Sequence, residues 1–457
     1  MAAGRVNARD PVGCPQRRLK ADPFGGIETI VSDARPHPYR AAAALALLSQ
    51  ALFSYRLTIP TKVMFDETHY VPAARTLLSL AGPTNIEHPL FAKEIIAGGI
   101  WLLGDTSLGW RFFSTLAGTA TVLAVFAILW LMLGRVRPAV LGALFTLLNF
   151  TVFVQARIGM LDGFMGAFVM LGLAALLWAM RAPDGRSAWL RWILGAVLLG
   201  LAVAAKWAAA PLIACAALGF VLLRLHDARR TGRSIFAALN AGGHRHWPGL
   251  AAVPALLVLG AVSVAAYCAT FAPAFFYTHD PMTLATLLPF QQRMYDRQTM
   301  PLPSHPYQSS WWSWPIMVRP IWYLYERADG AQRGVMLIGN LAVLWGGLVA
   351  VAACLYAGVR ERAPRLLAAA GLWVGSYAMW VLIPKKIGFF YYYYLPSIAL
   401  CVALAVAFDH FPAARRRDTA FLAVVIVLFA VFYPVLSAAP LPGPGAFRYW
   451  TWSSTWI

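Results

Sequence analysis

KVMFDETHYVPAARTLLSLAGPTNIEHPLFAK, residues 62–93, lies between two hydrophobic runs and carries Asp66, Glu67, His69, Glu87, His88 and Lys93. Only 12% of the chain is charged, and no other stretch gathers so much ionisable chemistry. At a membrane surface, two adjacent carboxylates can share a proton or divide into acid and base. The plainer reading is a solvated loop in which Asp66 caps a helix starting near His69. The surrounding chain bears on which reading holds.

Outward from this loop the chain runs to 457 residues, 60% hydrophobic and 13% aromatic, with a mean hydropathy of +0.62. A soluble protein of this length needs more polar surface to cover its core. Many apolar runs approach the ~20 residues that cross a bilayer as helix. The chain therefore reads as an all-α polytopic membrane protein whose first partner is the lipid bilayer. The net charge of +19 is spread in short basic clusters between apolar runs. That fits the positive-inside rule rather than a groove for phosphodiesters, so no nucleic acid is expected. The five cysteines show no metal spacing, and four lie in apolar runs. Neither disulfides nor a bound metal is expected.

Residues 1–40, rich in Arg, Pro and Gly, read as a disordered cytosolic leader rather than a cleavable signal. The transmembrane domain, 41–437, divides into about eleven helices by the length criterion. They fall near 41–58, 108–133, 138–155, 163–180, 189–205, 207–223, 249–271, 333–357, 366–384, 389–408 and 419–437. Alternating sides gathers the basic clusters around 135–137, 181–191, 224–245, 360–365 and 415–417 on the leader's side. Loops 59–107 and 272–332 and the tail 438–457 then lie outside the cytosol. Within the first loop, the apolar run Ile95–Leu103 is expected to lie along the interface. No internal repeat is visible, which weakens a transporter built from inverted halves.

Ionisable residues at membrane depth are costly and usually have a partner or a task. Arg111 opens a span, Arg157 and Asp162 flank a turn, Lys206 interrupts two spans, and Lys385-Lys386 precede FFYYYYLP. All fall on the side of Asp66 and Glu67. Five basic groups facing two carboxylates suggest a site for an anion, most simply a phosphate, beside an acid or base. For each one alone, snorkelling to the headgroups is the plainer explanation. The tyrosines 391–394 read as an interfacial belt, from which one or two rings can stack on a sugar or line a lipid groove.

FDETHY (65–70) resembles the Phe-Asp-Glu motif in the first luminal loop of the protein O-mannosyltransferases, and EHPLFAK (87–93) resembles their His-Pro-Pro-Leu-Gly-Lys segment. ARIGMLD (156–162), KW (206–207), HPYQSSWWSWP (305–315), RPIWYLYE (319–326), LIGN (337–340) and FFYYYYLP (389–396) are similar to that family in the same order. The resemblance covers about residues 45–408 and is nearest to bacterial members. It departs at Leu90 and Ala92, which replace a proline and a glycine, and no β-trefoil interrupts 272–332.

The resemblance implies the C-type glycosyltransferase fold with eleven spans, a cytosolic N-terminus and an extracytoplasmic C-terminus. It also implies a catalytic first extracytoplasmic loop, a polyprenyl-phosphate sugar donor and no metal. Carried over, Asp66 is the base with Glu67 beside it, and Arg111 binds the donor phosphate. Lys93, Arg157 and Lys206 join the phosphate site. His88, Asp162, His305, Tyr307, Lys385, Lys386 and Tyr391 line the pocket. The expected activity is inverting transfer of mannose from polyprenyl-phosphate mannose to Ser or Thr hydroxyls of exported proteins, at a bacterial inner membrane. The alternative keeps the donor and makes lipid A, a glycolipid or a polysaccharide the acceptor. A membrane transporter is the reading from another class.

Overall fold

In hydrocarbon an unpaired backbone N–H or C=O has no water to bond, so apolar runs satisfy their own groups by folding as helices. The computed structural model describes residues 37–240, 242, 246–301, 303–383, 385 and 387–457. Residues 1–36 of the expected leader and Lys386 lie outside these. The helices are α1 (Pro38–Ser54), α2 (Glu67–Leu78), α3 (Phe91–Leu103), α4 (Ser107–Leu133), α5 (Val136–Leu147), α6 (Phe150–Gln155), α7 (Leu161–Met180), α8 (Gly185–Ala205), α9 (Ala210–Arg230), α10 (Ile235–Asn240), α11 (Ala252–Ala269), α12 (Leu284–Thr299), α13 (Leu341–Arg360), α14 (Pro364–Leu382), α15 (Tyr394–His410), α16 (Pro412–Arg415) and α17 (Asp418–Leu436).

Among the described residues, nine helices are long and apolar enough to cross a membrane. They are α4, α7, α8, α9, α11, α13, α14, α15 and α17, with α9, α11 and α15 extended by a 3-10 turn at one end. The chain is a polytopic integral membrane protein. α1 has 17 residues and α5 only 12. The span expected at 138–155 is broken at Asn149, whose side chain accepts from Thr151 N–H and donates to Ser397. That restarts the helix as α6. The apolar window of α15 is wholly buried, as befits a helix that is hydrophobic all round. α5, α13 and α14 pack around it.

The mostly helical chain holds one pair of strands. Ile321–Ala328 (β1) and Ala331–Leu337 (β2) form an antiparallel hairpin, with a bulge between Trp322 and Leu324. Asp329 and Gly330 between them have φ of 46° and 76°. A two-residue Asp-Gly loop with both φ positive matches the right-handed twist of the strands. The expected span 333–357 therefore begins only at Leu341, after Asn340 caps α13 by accepting from Ala342 N–H. The tail docks on the hairpin. Leu441 N–H donates to Gln332 O, and Arg333 donates to Ala438 O.

The first loop is mostly helical. α3 contains the apolar run Ile95–Leu103 and packs on α2 and α4. Gly99 and Gly109 meet so closely that a Cβ on Gly99 would stand 2.2 Å from the Gly109 carbonyl oxygen. Outward, α3 leaves Trp101 and Leu102 exposed.

Candidate functional site

The loop before α2 is held by a dry clasp. Arg111, on the first turns of α4, donates from Nε to Glu67 Oε1 and from Nη2 to Glu67 Oε2, both at 2.7 Å. Its remaining protons reach the carbonyls of Pro60 (2.6 Å), Lys62 (2.8 Å) and Leu57 (3.5 Å). Glu67 also accepts from Met64 N–H and Gly159 N–H, at 3.0 and 2.9 Å. Both side chains are fully buried. Arg157 does similar work, donating to the carbonyls of Phe53, Tyr55 and Arg56. Lys93 donates to the carbonyls of Thr84, Asn85 and His88, shaping the turn between α2 and α3.

Phe65 turns the chain between clasp and cavity. It holds φ of 49° and stacks on Tyr323 of β1, centroids 4.1 Å apart. A bulky residue in that region is strained and persists only where neighbours hold it. The next residue, Asp66, faces the other way. α2 starts at Glu67, yet the Asp66 side chain makes no capping bond, which overturns the capping reading. The Asp66 carboxylate accepts a long bond from Tyr70 OH, 3.4 Å, and lines a cavity of about 950 Å³.

That cavity lies where α9 begins and α8 and α14 end. Lys206 donates two bonds to Asp162, 2.9 and 2.7 Å, and sits about 5 Å from the ring centroids of Tyr391 and Tyr392. Around Asp66 the lining includes Tyr70, Asn85, His88, Lys206, Arg297, Lys385, Tyr391 and Tyr392. Burial pushes the Asp66 carboxyl up to about 6; Lys206, His69 and Tyr70 oppose this and Asp162 adds to it. Burial, with Lys206, Lys93 and Lys385 nearby, holds the His88 imidazole well below its ordinary value, so it is neutral. Burial and Lys206 bring Lys385 down to about 8, against the pull of Glu87.

The expected site residues thus divide. Asp66, His88, Lys206, Lys385 and Tyr391 line the cavity. Asp162 stands behind Lys206 as its ion partner. Arg111, Arg157 and Lys93 are turned to backbone carbonyls or Glu67 and lie outside the lining, contrary to their expected place around a phosphate. Glu67, expected beside Asp66 as a second acid or base, has its oxygens saturated by four donors. His305 is exposed and touches the cavity only through Phe389, with ring centroids 5.2 Å apart. Tyr307 donates its N–H to His305 Nδ1 and does not line the cavity.

Sequence reasoning missed Asn85, Trp207, Tyr267 and the inner face of α12, with Gln291, Tyr295 and Gln298. The helical spacing of those α12 residues was the available signal. Gln298 donates to Glu87 O at 2.6 Å and accepts at its own carbonyl from Lys385, 3.3 Å, tying three loops together. No group of three His, Cys, Asp or Glu that could hold a metal ion occurs among the described residues.

The described residues form a bundle of membrane helices around a largely apolar cavity that holds a carboxylate and cations, and the solved structures it matches share the C-type glycosyltransferase fold. Structures of that fold align along most of the chain. The S. cerevisiae protein O-mannosyltransferase Pmt1-Pmt2 complex bound to the sugar donor matches at a TM-score of 0.77 and 14% identity, covering 92% of both chains. ArnT from Cupriavidus metallidurans bound to undecaprenyl phosphate matches at 0.54 and 17%, covering 87% of this chain and 65% of that one.

The chain belongs to the protein O-mannosyltransferase family. Residues 43–277 match the family model described as dolichyl-phosphate-mannose-protein mannosyltransferase. Residues 283–456 match that of the C-terminal four-TMM region of protein-O-mannosyltransferase. A polyprenol-phosphate-mannose--protein mannosyltransferase of Mycobacterium tuberculosis is 27% identical, covering 87% of each chain. One of Corynebacterium glutamicum is 24% identical, covering 88% of this chain and 89% of its own.

Proposed function

We propose that this chain moves mannose from polyprenyl-phosphate mannose to Ser or Thr hydroxyls of exported proteins, with inversion and without a metal. The observation that carries the reading is Asp66, a carboxylate on the cavity wall with no cation bonded to it among the described residues, sharing that wall with Lys206, Lys385 and Arg297. An acceptor hydroxyl is a weak nucleophile and needs its proton removed as it attacks. Asp66 takes that proton while the bond from the anomeric carbon to the phosphate oxygen breaks. The leaving phosphate gathers charge, which Lys385 and Arg297 stabilise in Arg111's stead. Attack and departure on opposite faces of the anomeric carbon give inversion in one displacement.

The membrane is a bacterial inner membrane, with the N-terminus cytosolic and the cavity and C-terminus outside the cytosol. Counting α1 and α5–α6 as crossings beside the nine longer helices gives the eleven that this orientation requires. A reporter fused after Ile457 should be active only outside the cytosol.

The deciding experiment gives the purified chain labelled lipid-linked mannose and a Ser/Thr-rich peptide. Asp66→Asn should fold, bind donor and lose ~10²–10⁴-fold in transfer. Transfer at the unsubstituted rate would remove Asp66 as the base. A lipid acceptor in the same assay separates the alternative: the arabinosyl transferase of Sodalis glossinidius that aligns here does so over only 38% of this chain.

A further inference from the structure

Two of the most exposed large apolar side chains in the described part of the molecule are Leu284 and Leu288, at 82% and 77%, one turn apart on α12. α12 is not among the helices long and apolar enough to cross a membrane. Its inward face packs Phe290 and Met294 into the core and sets Gln291, Tyr295 and Gln298 on the cavity wall. Its outward face changes character along its length. The first half shows Leu284, Leu288 and Pro289, whereas the second shows Arg293 and Asp296.

The start of α12 cannot stand off from the membrane. Met282 N–H donates to Ala274 O, 2.9 Å, inside the last turn of the spanning segment Ala252–Phe276. Phe276, at the end of that segment, is itself 71% exposed. The connection is also fastened to the first loop, since Thr278 and His279 donate their N–H groups to the carbonyls of Leu80 and Ala81. An amphipathic helix that starts at the end of a span, with leucines outward first and charges later, matches the bilayer interface. A water-facing surface has no use for paired leucines so exposed.

We propose that α12 is seated in the leaflet on the cavity's side of the membrane. The first half of its outward face is immersed among lipid chains, and its inward face is the wall past which a lipid-borne substrate enters. This rests on the reading of the donor as a polyprenyl phosphate sugar. Seating the helix sets the cavity mouth at headgroup depth, where a polyprenyl phosphate presents its sugar without leaving the bilayer.

The test uses the full chain in liposomes and two donors, polyprenyl-phosphate mannose in the bilayer and a water-soluble short-chain analogue. Leu284→Glu with Leu288→Glu should lower transfer from the bilayer donor about tenfold and leave transfer from the soluble donor within about twofold. Leu288→Ser should show the same selectivity more weakly, and it serves if the double variant does not fold. Gln292→Glu, a charge added beyond the apolar half, should leave both rates unchanged. A photoreactive amino acid in place of Leu288 should crosslink to lipid. Equal loss with both donors, no loss with either, or crosslinks to a second protein overturn the seating. Failure of the unsubstituted chain to use either donor would count against the donor reading instead.

Discussion

On one side of the Phe65 turn, Glu67 accepts four hydrogen bonds, two of them from Arg111, in a region closed to solvent. On the other, Asp66 accepts one long bond from Tyr70 and opens on a cavity. Both are carboxylates, one peptide bond apart. The first is committed to structure because its lone pairs are occupied and its charge is neutralised. The second retains proton affinity, and burial raises it to about 6. Chemistry here follows from what a carboxylate is left free to bind. The same division separates Arg111 from Lys385: one cation is enclosed by carbonyls and Glu67, while the other reaches the cavity.

The sharpest way to break the comparison is to neutralise each carboxylate alone. Asp66→Asn should remove transfer as described and leave thermal unfolding in detergent unchanged. Glu67→Gln should do the reverse, because it strands the Arg111 charge in a dry site. Breaking a buried pair costs ~3–5 kcal/mol, so the yield of folded protein and its unfolding temperature should fall. Arg111→Ala should behave like Glu67→Gln, with donor affinity retained in whatever folds. A well-folded Arg111→Ala protein that has lost donor binding would return Arg111 to the phosphate site.

A smaller effect is expected at Lys385. Charge-assisted bonds are worth ~1.5–3 kcal/mol, so Lys385→Ala should raise the donor KM at least about tenfold. The pH profile sharpens this. As the proposed base Asp66 would work ionised, so kcat/KM should fall as pH drops through about 6. In the proposed phosphate role Lys385 would work charged, so kcat/KM should also fall as pH rises through about 8. Lys385→Arg should keep the acid limb and lose the alkaline one, since Arg stays protonated. The smallest expected effect is none: chelators should leave transfer unchanged, and a rate restored only by added divalent ions would break the metal-free reading.

Much of this was legible along the chain. A run of apolar residues long enough to cross hydrocarbon is a local property, so α4, α7, α8, α14 and α17 lie close to the spans read from sequence. Asp66 was legible because its loop is acidic where the chain is otherwise apolar. The hairpin was missed although Asp329-Gly330 is a strong turn signal. The apolar residues around Val335 continue into α13, and a long hydrophobic run outweighed the alternation of strands.

The sequence by itself determined the membrane class, most of the spans and the family. Each of these rests on residue type and order, which short-range physics reads directly. Only the tertiary structure decided which charges act. Arg111 is spent on Glu67, 44 residues away, and on carbonyls of the chain before it. Lys206 is paired with Asp162 on the wall, and Gln298 reaches Glu87 across 211 residues. A side chain's charge belongs to its residue, but its availability depends on every donor and acceptor the fold brings within about 3 Å, and most of those lie far off in sequence.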